Sequence, residues 1–71
     1  MSTTKRESLR TLAQLVGVTY RIEYDADAPL EWAVWSTGDT VDIIGAAHTR
    51  EGAIADARAQ LRAWLPTTRS A

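Results

Sequence analysis

Six acidic side chains with no lysine or arginine among them are the feature of this sequence that most directly suggests chemistry. They lie between residues 22 and 49, and they are Glu23, Asp25, Asp27, Glu31, Asp39 and Asp42. Trp32 and Trp35 lie in the same stretch. Carboxylates speed encounter with basic partners, and tryptophan is enriched at the centres of interfaces. The combination suggests a protein-binding surface, although acids along a strand also serve simply to prevent edge-to-edge pairing.

The charges of the chain are segregated, although the formal net charge is only −1. Residues 1–21 sum to +3, residues 22–49 to −6 and residues 50–71 to +2. Such asymmetry creates a local field even when the total is near zero. A partner with a basic surface is therefore the expected ligand of the middle segment.

Catalytic and metal-binding patterns are absent from the sequence. His48 is the only histidine, and it precedes a predicted helix start, where the helix dipole disfavours the charged imidazole and does not make it a better base. Asp25 and Asp27 lack the further ligands and the turn glycine of a calcium loop. Cysteine is missing, which removes disulfides and thiolate metal sites. No G-x-S-x-G, H-E-x-x-H or glycine-rich phosphate loop occurs. We expect a non-enzymatic protein without a metal or cofactor.

Two helices are expected, one at each end of the chain. Apolar residues at helical spacing predict a first helix over residues 5–16, with Thr4 and Glu7 as its capping box and Gly17 at its end. Thr49 is the predicted cap of the last helix, which ends before a proline. The apolar stripe of that helix comprises Ile54, Ala57, Leu61, Trp64 and Leu65.

Three antiparallel strands are expected between the helices, at residues 18–24, 31–36 and 41–46. The first alternates cleanly between apolar and polar residues, whereas the other two carry apolar residues on both faces. Trp32 and Trp35 point to opposite faces of the second strand, and the outward one is expected beside Ile44. The sequence leaves open which of the two tryptophans that is.

The predicted architecture is a two-layer α+β domain of order α-β-β-β-α, with a three-stranded antiparallel sheet and both helices on one face. It spans residues 1–71 as a single domain, with an ordered core over about 5–65 and flexible tails at 1–3 and 66–71. The second face of the sheet then stays uncovered, and exposed apolar patches often mark interfaces. A homodimer is a further expectation, because a small chain without disulfides or metals commonly gains stability by self-association.

Two resemblances accompany this architecture. The element order over residues 5–65 resembles the double-stranded-RNA-binding domain, although Thr49-Arg50-Glu51-Gly52 stands where that fold has a lysine cluster. The run Tyr-Arg-Ile-Glu-Tyr-Asp-Ala-Asp from Tyr20, then Trp32-Ala-Val34 and Thr49-Arg50-Glu51-Gly52-Ala53, resembles HicB-type antitoxin domains. The second resemblance covers about residues 20–65 and implies a protein that covers a basic surface of its partner.

The sequence therefore predicts a small protein-binding module, such as an inhibitor or antitoxin-like factor of a bacterial or phage mobile element. Its predicted binding residues are the six acids with the two tryptophans of the second strand. The alternative is a nucleic-acid binder that uses Arg50, Arg58 and Arg62 of the last helix. No signal peptide or membrane-spanning run occurs, so we expect a cytoplasmic protein with no membrane contact.

Overall fold

Helices and strands follow one another in the order α-β-β-β-α, which confirms the predicted fold class. The computed structural model describes residues 8–38 and 40–65. Its helices are Leu9–Val16 (α1) and Arg50–Trp64 (α2), and its strands are Thr19–Tyr24 (β1), Trp32–Thr37 (β2) and Asp42–Ala47 (β3). The strands form an antiparallel sheet in the order β1-β2-β3. The predicted flexible tails, residues 1–3 and 66–71, lie outside the described residues.

Helix α1 begins at Leu9 rather than at residue 5. Ser8 has an extended backbone, and its Oγ accepts a hydrogen bond from the amide N–H of Thr11 at 3.1 Å. A serine in this position satisfies one of the amides that a helix start leaves without a partner. Thr4 and Glu7, the capping box that the sequence predicted, lie outside the described residues.

The sequence correctly predicted the end of α1 and both ends of α2. Gly17 is left-handed (φ 92°), and its N–H donates to the carbonyl of Ala13 at 2.8 Å, an arrangement that glycine adopts at little cost. At the start of α2, the N–H of Gly52 donates to Oγ1 of Thr49 at 3.0 Å. Leu65 ends the helix with a ψ of 141°, the extended conformation favoured before a proline.

Both helices pack on the same face of the sheet. Helix α2 lies on β2 and β3, and α1 packs against α2 and β1. The buried apolar residues between these layers are Leu9, Leu12, Ala13, Val34, Ile44, Ala53, Ala57 and Leu61. The predicted stripe of α2 is shifted, since Ala53 is fully buried whereas Trp64 is 43% exposed. Within residues 8–38 and 40–65, neither helix combines the length and apolar composition needed to cross a bilayer.

A β-bulge in β3 determines which of its residues face the core. Val34 pairs with Gly45 whereas Trp35 pairs with Ile43, so Ile44 is an extra residue between two paired positions. Ile44 and Gly45 are therefore both buried, and Ile43 is 54% exposed. The predicted strict alternation, with Ile44 beside the outward tryptophan, is wrong because an inserted residue moves the side chains before it to the other face.

Gly45 allows the backbone of α2 to approach the backbone of β3. A Cβ at this position would lie 2.5 Å from the carbonyl oxygen of Ala53 and 2.6 Å from the amide nitrogen of Ala57. Both of these atoms belong to the helix backbone, so neither can move without moving α2 itself. The contact therefore requires a residue without a side chain on the strand.

We expect Gly45→Ala to lower the free energy of unfolding by about 1–3 kcal/mol, the usual cost of forcing an extra carbon into a packed core. Urea denaturation of the full chain measures the change. Ala59→Leu is the control: it enlarges a side chain at an exposed position of α2 and leaves helix propensity nearly unchanged. Equal costs for the two substitutions would contradict the proposed role of Gly45.

Candidate binding surface on the open sheet face

The face of the sheet opposite the helices is the open face, because no other described element packs on it. Ala33 and Trp35 of β2 lie at its centre. Their partners on the neighbouring strands are Arg21 and Glu23 of β1 and Ile43 and Ala46 of β3. The bulge brings Ile43 next to Trp35, so the open face has an apolar centre.

The two tryptophans of β2 lie on opposite sides of the sheet. Trp32 packs against the core, with its ring centroid 4.9 Å from that of Tyr24, its partner on β1, at an interplanar angle of 55°. Trp35 lines the open face and is half-buried. Of the two tryptophans predicted to bind a partner, Trp35 is thus the one on the open face.

The loop between β1 and β2 forms one wall of a pocket on the open face. The N–H of Asp25 donates to the carbonyl of Glu31 at 2.7 Å, which closes the loop at its base. Within the loop, Oδ1 of Asp25 accepts from the N–H of Asp27 at 2.9 Å, and the N–H of Ala28 donates to the carbonyl of Asp25 at 3.1 Å. These short-range hydrogen bonds are typical of an Asx turn. They hold the tip of the loop in a defined shape.

The pocket has a volume of about 300 Å³. Its lining is mainly apolar, with the sheet contributing Ala33, Trp35, Ile43 and Ala46. The loop contributes Ala28, Pro29 and Leu30. The remaining lining residues are Glu23, Asp25 and Glu31, so every charged residue of the described lining is acidic.

Basic side chains contact two of these three acids. Nε of Arg21 lies 2.7 Å from Oε2 of Glu23, and both side chains are about half exposed. Nδ1 of His48 lies 2.9 Å from Oε1 of Glu31. The hydrogen bond to His48 lowers the pKa of Glu31, and a hydrogen bond from the backbone N–H of Glu31 lowers it further. Glu31 therefore stays ionised to a lower pH than an ordinary glutamate.

The structure divides the predicted acidic surface into separate parts. Glu23, Asp25 and Glu31 converge on the pocket, whereas Asp27 is exposed in the loop and is not part of the lining. Asp42 lies at the opposite end of the sheet, where its Oδ2 accepts from Oγ1 of Thr40 at 3.2 Å. Asp39, also among the predicted binding residues, lies outside the described residues.

Of the apolar residues that line the pocket, the sequence predicted only Trp35 as a binding residue. Alternation along the predicted third strand places Ile44, not Ile43, beside the outward tryptophan, and Pro29 and Leu30 lie between the predicted strands at 18–24 and 31–36. A proline next to a leucine in an otherwise acidic loop was the available signal, as Pro29 and Leu30 now form part of the pocket wall.

The arginines of the alternative prediction lie on α2, which covers the other face of the sheet. Arg50 and Arg62 are exposed, and Arg58 is half-buried. Nε of Arg58 is buried and has no hydrogen-bond partner within the described part of the chain. These arginines therefore do not form one open row of phosphate-binding side chains.

Among residues 8–38 and 40–65, no group of three or more histidine, aspartate or glutamate side chains is arranged to hold a metal ion. Comparison with known proteins finds no matching family model, curated protein or solved structure. The resemblances to HicB-type antitoxins and to the double-stranded-RNA-binding domain therefore stay predictions from the sequence.

We expect His48→Ala to raise the pKa of Glu31, because the substitution removes the hydrogen bond that lowers it most. Because the pKa of Glu31 is lower in the folded than in the unfolded state, ionised Glu31 stabilises the fold at any pH above the unfolded-state pKa. This contribution is lost as the pH falls through the folded-state pKa. NMR titration of the Glu31 side-chain carboxyl measures the pKa in both proteins. Unchanged amide shifts in α1 would show that the fold is intact, and an unchanged Glu31 pKa would contradict the prediction.

Proposed function

We propose that this chain is a non-enzymatic protein-binding module that contacts a partner with a basic surface through the open sheet face. Within this class, an inhibitor or antitoxin-like factor of a bacterial or phage mobile element is the proposal that the sequence favours. The observation that carries the proposal is the pocket, which combines an apolar floor with three acidic residues on a face that no described element covers.

Exposed apolar side chains support an interface at this face. Ile43 is 54% exposed and Leu30 is 40% exposed, and both line the pocket together with the half-buried Trp35. Apolar side chains that stay in water raise the free energy of the protein, and tryptophan is among the residues that dominate interface energetics. A partner that covers this face would bury all three side chains at once.

The charge of the pocket supports a basic partner rather than a second copy of the chain. Two copies that paired through the same face would bring two sets of Glu23, Asp25 and Glu31 together, and such like-charge contacts are costly. The same carboxylates repel the phosphates of a nucleic acid. The nucleic-acid alternative would therefore have to use α2, where Arg58 is half-buried.

Site-specific photo-crosslinking tests the proposal. A photoreactive amino acid replaces Ile43 on the open face or, as the matched control, Leu15 of α1, which is 57% exposed. We expect position 43 to crosslink a discrete basic protein from native host extract and position 15 not to do so. Excess unlabelled chain should compete with the reaction, and the Trp35→Ala variant should compete less well because it lacks the indole.

Several outcomes would contradict the proposal. Identical products from both positions would show that the reaction does not report a specific interface. A crosslinked dimer of the chain itself would show that the partner is a second copy of the chain and not a basic protein. Tight duplex RNA or DNA binding at low salt, with loss in an Arg50→Gln/Arg62→Gln variant, would support the nucleic-acid alternative instead.

A further inference from the structure

We propose that the pocket on the open face accommodates one arginine side chain of the partner. This inference rests on the proposed function, since it names the group of the partner that enters the site. The size of the pocket, its aromatic and apolar lining and its negative charge all suit an arginine side chain.

The size of the pocket fits a single side chain. Its volume of about 300 Å³ lies at the lower end of the range for small-ligand pockets, roughly 300–1,000 Å³. A helix or a strand of the partner is too wide to enter such a space. A single long side chain of the partner can enter the pocket, while the remaining surface of the partner covers the exposed rim formed by Leu30 and Ile43.

The apolar lining favours a cation that is weakly hydrated. The guanidinium group of arginine is planar, stacks on aromatic rings and loses its water more easily than the compact ammonium of lysine. Trp35 offers an indole for such stacking, and Leu30 and Pro29 offer apolar contacts for the methylene groups. Arginine therefore fits this lining better than lysine does.

The three acids supply the complementary charge. Glu23, Asp25 and Glu31 come from the end of β1 and the two ends of the loop, so they approach the pocket from different positions along the chain. A guanidinium group has five N–H donors in a fixed fork and can contact more than one carboxylate at a time. Nδ1 of His48 contacts Oε1 of Glu31, so a guanidinium ligand would use Oε2.

Arg21 already forms an ion pair with one of the three acids, Glu23. It is the partner of Trp35 in the β1–β2 register, and its Nε lies 2.7 Å from Glu23. An arginine that enters the pocket must share Glu23 with this residue. Removing the positive charge of Arg21 should therefore strengthen binding of an arginine ligand, a result that a merely structural role of Arg21 would not produce.

The test is a titration of the full chain with N-acetyl-arginine amide. Binding is monitored through the NMR signal of the Trp35 indole N–H. We expect a saturable shift, with the neutral citrulline derivative binding about tenfold more weakly because it lacks the charge. Arg21→Gln should tighten binding and Glu23→Gln should weaken it, each by about threefold, as expected for exposed charge contacts. Glu51→Gln removes the same charge away from the pocket and should leave the affinity unchanged.

Equal affinity for the arginine and citrulline derivatives would overturn the inference, as would weaker binding by Arg21→Gln. A lysine derivative that binds as tightly as arginine would overturn the choice of arginine. The two proposals can fail separately. Crosslinking at position 43 without any arginine response would refute only the arginine inference. An arginine response without a specific crosslink would refute the proposed protein partner and leave a pocket that binds a free arginine group.

Discussion

The close approach of α2 to β3 is the constraint on which the rest of this structure depends. Gly45 meets the backbone of the helix at Ala53 and Ala57, so at this point strand and helix touch with almost no side chain between them. A chain of this length buries a smaller fraction of its surface than a larger domain does, and close backbone packing uses that limited area well. With α1 packed against α2 on the same face, the two described helices leave the opposite face of the sheet uncovered.

The bulge in β3 links this packing to the candidate site. Ile44 and Gly45 both face the helices, which moves Ile43 to the open face beside Trp35. Bulges commonly lie next to functional sites because they redirect a side chain without disturbing the rest of a strand. Here the inserted residue, Ile44, adds to the core, and its insertion places Ile43 on the surface.

The acidic character of the open face is local rather than uniform. The sequence from 22 to 49 contains no lysine or arginine, yet the fold places Arg21 against Glu23 and His48 against Glu31. The contact of Arg21 with Glu23 offsets part of the negative charge of the pocket. Carboxylates and apolar residues share the described lining, so a partner must satisfy both features together.

The sequence by itself determined the order of elements, the three-stranded antiparallel sheet and the helix ends at Gly17 and Thr49. These features depend on hydrogen bonds and periodicities within a few neighbouring residues, so they can be recognised along the chain. Only the tertiary structure decided that Trp35 faces outward, that Ile43 joins it, and that the β1–β2 loop completes a pocket. Those placements depend on the register between strands and on an inserted residue, and both are set by contacts between residues distant in sequence.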